Sequence, residues 1–70
     1  MNLMKAMQLD LTAEEIAAID RLYQTTKDVR LRTRSQMVLL AAEQHLTPSE
    51  IARIVRQSEQ SVRNWLKRYQ

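Results

Sequence analysis

Four polar side chains between residues 60 and 64 are of the types that read base pairs in duplex DNA: Gln60, Ser61, Arg63 and Asn64. The amides of Gln and Asn pair with adenine through two hydrogen bonds, the guanidinium of Arg pairs with guanine in the same way, and a Ser hydroxyl donates to a base or a phosphate. Apolar side chains recur around them at helical spacing, at Val62, Trp65, Leu66 and Tyr69. We therefore expect a helix whose outer face carries the four polar side chains to base edges in the major groove.

A second set of residues suits contact with phosphate, which holds a protein on DNA without reading its sequence. Basic side chains neutralise phosphate charge, and backbone N–H groups at a helix N-terminus attract anions. The expected phosphate contacts are Thr47, Ser49, Arg56, Ser58, Lys67 and Arg68. The predicted second helix carries alternating arginines, Arg30, Arg32 and Arg34, which spread over more than one of its faces. One of them is a further candidate for phosphate contact. We expect at least one of these arginines to pair with Asp20 or Glu15 on the preceding helix.

The charge distribution favours a polyanionic partner. The chain carries a net charge of +3, but residues 30–70 hold eight basic residues against three acidic ones, whereas residues 1–29 hold three against five. A concentrated basic surface is the electrostatic footprint of nucleic-acid binding. Double-stranded DNA is the expected partner, and a protein-interaction or dimerising helical module, including a homodimer, is the alternative left open.

Residue types give no support to catalysis or metal binding. The chain has no Cys and a single His, His45, so it lacks a thiolate nucleophile and a Cys or His cluster for metal. Glu14 and Glu15 are neighbours on a predicted helix and point in different directions, which suits a first helical turn better than a catalytic pair. We expect no enzymatic activity, no metal, no cofactor and no small-molecule ligand.

Length and hydropathy define the class of protein. Seventy residues with 44% hydrophobic and 27% charged side chains fit one small domain. No stretch approaches the roughly 18 apolar residues that cross a bilayer, and the opening MNLMKAM lacks the cleavage site of a signal peptide. We expect no contact with membrane and a cytoplasmic bacterial protein that associates with the nucleoid through DNA.

Helix-start signals divide the chain into four predicted helices. Capping boxes at 12–15 and 47–50 and single N-caps at Asp28 and Ser58 mark the starts. The predicted helices span about residues 13–24, 29–44, 48–55 and 59–69. We expect an all-α, compact four-helix bundle over residues 9–70, forming one helix-turn-helix DNA-binding domain, with a flexible tail at residues 1–8.

Helical periodicity also predicts the core. One face of the first helix carries Ile16, Ile19, Leu22 and Tyr23. The inward positions of the second helix are Met37, Val38, Leu40 and Ala41, with partial cover expected for Leu31 and Leu39. In the last two helices, Val62 and Leu66 are expected to meet Ile51 and Val55, while Trp65 and Tyr69 close the core.

The connection between the last two helices is short. Three residues, Arg56 to Ser58, separate them, which is the length of a helix-turn-helix, and the small Ala52 suits a close approach of the two helices. Such a turn usually contains glycine, and the chain has none. We expect His45 and the turn to adopt left-handed backbone without glycine, at a cost of about 1 kcal/mol for each such residue.

The stretch LTPSEIARIVRQSEQSVRNWLKRY resembles the pattern LT-x-x-EIA-x-x-L-G-V-S-x-x-TV-x-x-W-x-x-R-[FY] of the N-terminal DNA-binding domains of mariner-like bacterial insertion-sequence transposases, a homeodomain-like group. LTAEEIAAI is similar to the opening helix of that family, and RLRTRSQMVLLAAEQHLT to its second helix, so the resemblance covers about residues 9 to 69. Three positions depart from the pattern: Arg56 and His45 replace glycines, and Gln57 replaces a valine.

The resemblance implies a role in transposition. Domains of this family recognise the terminal inverted repeats of the element, and a separate domain with acidic residues and divalent metal cuts and joins the DNA. We expect no such catalytic domain within these 70 residues, which contain no acidic triad. The chain is therefore expected to be a recognition module of a transposase, a truncated remnant of one, or a stand-alone small transcriptional regulator.

Overall fold

The computed structural model describes residues 9–70, and the predicted tail at residues 1–8 lies outside the described residues. Four α-helices follow one another and a short 3-10 helix ends the chain: α1 (Ala13–Thr25), α2 (Val29–Gln44), α3 (Pro48–Val55), α4 (Glu59–Leu66) and the 3-10 helix Lys67–Tyr69. The described residues form no strand. The predicted all-α bundle of four helices is confirmed, and the last predicted helix differs only in tightening to 3-10 geometry after Leu66, as helix C-termini often do.

Two reciprocal capping boxes start α1 and α3. The Thr12 hydroxyl accepts from the Glu15 N–H at 3.1 Å, and the Glu15 carboxylate accepts from the Thr12 N–H at 2.8 Å. Thr47 and Glu50 repeat this arrangement at 3.2 and 2.8 Å. Each box satisfies two backbone donors that a helix start would otherwise leave without partners.

Single side chains cap the other two helices. The Asp28 carboxylate accepts from the N–H groups of Arg30 and Leu31 at 2.9 and 3.3 Å. The Ser58 hydroxyl accepts from the Ser61 N–H at 3.1 Å. All four helix starts therefore lie at the residues that the local sequence signals indicate.

The core lies where α2, α3 and α4 pack against one another. Val38 of α2, Ile51 of α3, and Val62 and Leu66 of α4 are completely buried. At roughly 1.5–3 kcal/mol for each fully buried aliphatic side chain, this group is the main apolar contribution to folding. The predicted meeting of Val62 and Leu66 with Ile51 is confirmed, with Val55 partly buried against the same core.

Helix α2 buries a wider stripe than the periodicity predicts. Met37, Val38 and Ala41 are buried as expected, but Leu39 is buried to 9% exposure while Leu40 is only half-buried against the core. The inward position predicted for Leu40 is confirmed, whereas Leu39, for which only partial cover was predicted, is buried. Because α2 contacts α1 as well as α3 and α4, it is covered on more than one face.

Helix α1 packs against α2 and against no other helix of the described chain. Ile16, Ile19 and Tyr23 are half-buried, whereas Leu22, predicted to share their face, is 38% exposed. A helix that touches a single neighbour covers only a narrow stripe, and Leu22 falls outside it. Helix α1 thus forms an outer layer on a core made by α2, α3 and α4.

The predicted ion pair between an α2 arginine and Asp20 or Glu15 is wrong. Within residues 9–70 the one salt bridge joins Glu59 and Arg63. The Glu15 carboxylate accepts from the backbone of its own N-cap, and Arg32 donates instead to the Thr26 carbonyl at 2.8 Å. Backbone groups close to them in sequence therefore bind Glu15 and Arg32, although the charge pattern had paired the α2 arginines with α1 acids.

Two residues without glycine's freedom adopt left-handed backbone. His45 ends α2 at φ 55° and ψ 34°, and Arg56 ends α3 at φ 62° and ψ 40°. At both ends the next N–H returns to the preceding helix, Leu46 to the Leu40 carbonyl at 3.3 Å and Gln57 to the Ala52 carbonyl at 3.1 Å. These bonds satisfy helix-end carbonyls and hold each residue in a conformation that glycine adopts at lower cost.

Replacing His45 with glycine is expected to stabilise the fold. Relief of the left-handed strain, about 1–2 kcal/mol, exceeds the extra chain entropy of glycine, about 0.5–1 kcal/mol, so the free energy of unfolding should rise by roughly 0.5–1 kcal/mol. Thermal denaturation should show a Tm higher by a few degrees. His45→Ala is the matched control because it keeps the Cβ and should bring no gain. Equal or lower stability of the glycine variant than of the alanine variant would contradict the strain argument.

The capping box of α3 predicts a pH dependence of stability. Hydrogen bonds from the Thr47 backbone N–H and hydroxyl, with the nearby charge of Arg53, lower the pKa of Glu50 below its ordinary value of 4.5. Because the folded-state pKa is the lower one, the ionised carboxylate stabilises the fold fully above pH 4.5, and this contribution disappears as pH falls through the lowered pKa.

The Glu50→Gln variant keeps a side chain able to close the capping box but removes the titrating group. Its unfolding free energy, measured by urea denaturation, should change less than that of the wild type between neutral pH and the acid side of 4.5. Thr47→Ala, which removes the hydroxyl hydrogen bond, should also reduce the pH dependence. Parallel pH profiles for all three proteins would show that Glu50 does not carry this dependence.

Candidate nucleic-acid interface

Packing fixes which side of α4 faces outward. Val62 and Leu66 are buried, and Trp65 and Tyr69 are half-buried against the same core, with their rings in an edge-to-face arrangement at a centroid distance of 6.2 Å. The remaining side chains of the helix are exposed, including the four predicted base contacts Gln60, Ser61, Arg63 and Asn64. The structure therefore brings those four residues together on one solvent-facing surface.

The turn between α3 and α4 holds this surface in place. Residues 56–58 form it, with Arg56 in the left-handed conformation and Ser58 capping α4. Ala52 is buried to 8% exposure, and its carbonyl accepts from the N–H groups of both Arg56 and Gln57. The structure thus has the expected small residue, Ala52, where α3 and α4 approach each other closely. It also has the expected left-handed turn without glycine, at Arg56.

The predicted base-reading side chains bond to each other and to their neighbours. The Gln60 amide nitrogen donates to the Asn64 side-chain oxygen at 2.8 Å, and the Ser58 hydroxyl donates to that of Ser61 at 2.9 Å. In the first pair, the Gln60 carbonyl oxygen and the Asn64 amide nitrogen are left for an outside partner. One acceptor and one donor are the two groups that the major-groove edge of adenine requires.

Glu59 forms a contact that the sequence analysis missed. Its carboxylate accepts from Nε and Nη2 of Arg63 at 2.9 and 2.7 Å, and both side chains are close to half exposed, at 46% and 45%. The spacing of four residues between opposite charges was a visible signal for this pair. The guanidinium that is expected to contact DNA is thus bound to a carboxylate in the free protein.

The predicted phosphate contacts fall into separate groups. Thr47, which is buried, and Ser49, which is half-buried, lie at the start of α3, and the Thr47 hydroxyl is engaged in its capping box. Arg56 and Ser58 lie in the turn at the other end of α3, about 12 Å away for a helix of eight residues. Lys67 and Arg68 are exposed on the 3-10 helix after α4. A single phosphate cannot reach all six residues, so any contacts belong to different phosphates.

Trp65 is a second feature that the sequence did not reveal. The guanidinium carbon of Arg34 on α2 lies 4.3 Å from its ring centroid, and that of Arg68 lies 4.8 Å away. Such distances allow cation–π attraction. The Trp65 indole nitrogen is the one buried side-chain polar atom of residues 9–70 that has no hydrogen-bond partner. Because Arg34 comes from another helix, spacing along the chain could not have indicated this contact.

The described part of the chain contains neither a cluster of candidate metal ligands nor a helix that could span a membrane. Residues 9–70 contain no group of three His, Cys, Asp or Glu side chains placed to hold a metal ion. Their helices are also too short or too polar to cross a membrane.

Comparison with known families identifies a homeodomain-like domain at residues 28–70. The matched region begins at Asp28, which caps α2, and so covers α2, α3 and α4, the three helices that pack against one another. Helix α1 lies outside it. No curated protein and no solved structure gives a significant match.

The Glu59–Arg63 pair predicts a measurable effect on nucleic-acid affinity. Glu59→Gln releases the Arg63 guanidinium and removes a negative charge from the α4 surface, so affinity for any duplex should rise by roughly 1 kcal/mol, or about fivefold. Fluorescence anisotropy with a labelled duplex measures it. Glu14→Gln is the control, because it removes the same charge from α1. Weaker binding by the Glu59 variant would mean that the carboxylate orients Arg63 for its contact instead of competing for it.

Proposed function

The chain belongs to the homeodomain-like family, and on that premise we propose that it binds double-stranded DNA sequence-specifically, with α4 in the major groove. The observation that carries the proposal is the division of α4 into two faces. The apolar side chains of the helix all turn to the core, while its outward surface presents the amide, hydroxyl and guanidinium groups that recognise base edges.

Each predicted base contact has a role in this proposal. The bonded pair of Gln60 and Asn64 presents one acceptor and one donor to a base, a pattern that adenine matches. Arg63 reaches guanine once it leaves or shares Glu59, and Ser61 lies in the first turn of α4, the part of a recognition helix that enters the groove.

Phosphate contacts supply most of the affinity in this proposal. Residues 30–70 carry eight basic against three acidic residues, and Arg56, Lys67 and Arg68 are exposed around α4. At the start of α3 the Ser49 N–H lies outside the capping box, and the start of α4 after Ser58 adds further backbone N–H groups, which favour anions. Residues 9–70 would then act as one DNA-binding domain.

We further propose that the DNA site is the terminal inverted repeat of an insertion sequence. The supporting observation is the resemblance of LTPSEIARIVRQSEQSVRNWLKRY, and of the two preceding helices, to the end-recognition domains of mariner-like transposases. A stand-alone regulator with the same fold would instead bind an operator. The bound sequence separates the two roles, because inverted repeats occur as a pair at the ends of one element.

Selection from a randomised duplex pool, read by sequencing, tests the proposal. The wild type should enrich one motif, and Asn64→Ala should lose discrimination at one position by about 1–3 kcal/mol, because one amide pairing is removed. Lys67→Ala should keep the motif and weaken all sequences alike, with the salt exponent of binding reduced by about 0.9.

Gln24→Ala on α1 is the control and should change neither motif nor affinity. If no motif is enriched and binding is insensitive to salt, α4 is not a DNA-reading helix. A DNA-inert dimer in light scattering would then favour the helical interaction module, for which the half-exposed Ile54 of α3 is the apolar candidate contact.

A further inference from the structure

A basic groove separates the first half of α2 from α4. It encloses about 440 Å³, within the range of roughly 300–1,000 Å³ found for ligand sites, and is partly open to solvent. Its lining includes Arg30, Arg34 and Arg68 and contains no acidic residue. The lining of this groove, here called the α2–α4 groove, is therefore suited to bind an anion.

The three arginines form no salt bridge within the described chain. The only salt bridge of residues 9–70 is that of Glu59 with Arg63, outside the groove lining. Trp65 holds the guanidinium groups of Arg34 and Arg68 at 4.3 and 4.8 Å from its ring, so the two charges are less than about 10 Å apart, close to the Debye length at physiological salt. Salt screens much of the repulsion between charges at that separation, but an anion bound between the two guanidinium groups would be attracted by both.

Neutral donors complete the lining. Ser61 and Asn64 line the same groove as the arginines, and the Ser61 hydroxyl and the Asn64 amide nitrogen donate to no other group of the described chain, whereas the Thr33 hydroxyl donates to the Val29 carbonyl. Trp65, which also lines the groove, carries the buried indole N–H without a partner. Phosphate oxygens accept several hydrogen bonds at once, and arginine binds them through two parallel donors.

The position of the groove indicates where the phosphate comes from. Its α4 wall includes Ser61 and Asn64, the residues proposed above to contact bases, so DNA that reaches them passes in front of α2. Arg30 and Arg34 lie one helical turn apart on α2, along the opposite wall. A groove open to solvent also admits a continuous polymer.

We propose that the α2–α4 groove binds a phosphodiester group of the DNA strand beside the bases that α4 reads, with Arg30 and Arg34 as its ligands from α2 and Arg68 from the 3-10 helix that follows α4. This proposal rests on the proposed function. It makes α2 a second DNA-contacting element and assigns the contact to Arg30 and Arg34, whereas the sequence left it open among three arginines of that helix and the contacts of the proposed function lie between residues 47 and 68.

The salt dependence of binding tests the α2 arginines. The exponent relating affinity to salt concentration falls by about 0.9 for each phosphate that the protein no longer neutralises. Arg30→Gln and Arg34→Gln should therefore each reduce it, by at most about 0.9, because the two arginines share one phosphate. Arg21→Gln on α1 is the matched control: it makes the same change of residue and net charge outside the groove, and should leave the exponent unchanged. Circular dichroism checks that each variant is folded. Arg34→Gln removes a guanidinium from the Trp65 ring and could unfold the protein for that reason alone. The Arg30 side chain has no partner among residues 9–70, so in that case Arg30→Gln alone decides whether the groove binds phosphate.

Tryptophan emission gives a second readout, because Trp65 is the only tryptophan of the chain and lines the groove. Duplex DNA should change its emission saturably, with the same affinity as anisotropy reports, and Arg30→Gln should weaken that change. Inorganic phosphate alone is the second arm. A saturable response to submillimolar phosphate without DNA would assign the groove to free anions and overturn the DNA assignment.

The outcomes separate this proposal from the function on which it rests. If the wild type binds duplex with a steep salt dependence and Arg30→Gln behaves like Arg21→Gln, the groove is not a phosphate site and the proposed function stands. If the wild type binds no duplex, the proposed function is wrong and this inference with it.

Discussion

The rest of the structure depends on one buried cluster, in which Ile51 packs together with Val62, Leu66 and Val38. These four side chains come from α2, α3 and α4, and all are completely buried. Together they fix the rotation of α4 about its own axis. Because successive residues on a helix are about 100° apart, a shift of one position would turn Val62 to solvent and Arg63 into the core. Packing in the core therefore decides which side chains of α4 face outward.

Helix α4 depends on that core for its existence as well. It has eight residues, and helices this short are unstable alone in water, since nucleation costs more than two turns of hydrogen bonds return. Its surface contributes the pairs Glu59 with Arg63 and Gln60 with Asn64, both with a spacing of four residues. Each contributes a few tenths of a kcal/mol and restricts side-chain rotamers before a partner arrives. The outward surface is thus ordered in the free protein, but these two pairs already engage four of its hydrogen-bonding groups.

Local signals predicted most of the fold, and contacts between helices account for what they missed. The caps at Thr12, Asp28, Thr47 and Ser58 gave all four helix starts, because capping uses residues only two or three positions apart. Periodicity gave the buried face of α4. It underestimated the burial of Leu39, since α2 is covered by helices on more than one side.

The same limit applies to the site. The contact of Arg34 with Trp65, and the groove between α2 and α4, depend on how two helices meet and have no signature along the chain. The Glu59–Arg63 pair was different, because its spacing was visible in the sequence. Charge alone wrongly paired the α2 arginines with α1 acids, and the contacts proposed for α4 with DNA remain predictions.

Because α1 contacts only α2 among the described helices, we expect the molecule to unfold in two steps, with α1 detaching before the other helices unfold. No side chain of α1 is buried in the described structure, and the helix rests on α2 alone, outside the three helices of the homeodomain-like domain. Regions with little buried surface open at lower free energy than the global unfolding transition. We therefore expect backbone amides of α1 to exchange with solvent through detachment of that helix, and those of α2, α3 and α4 to exchange only when the whole domain unfolds. On this expectation, detachment of α1 would leave the core of α2, α3 and α4 intact, and with it the orientation of α4.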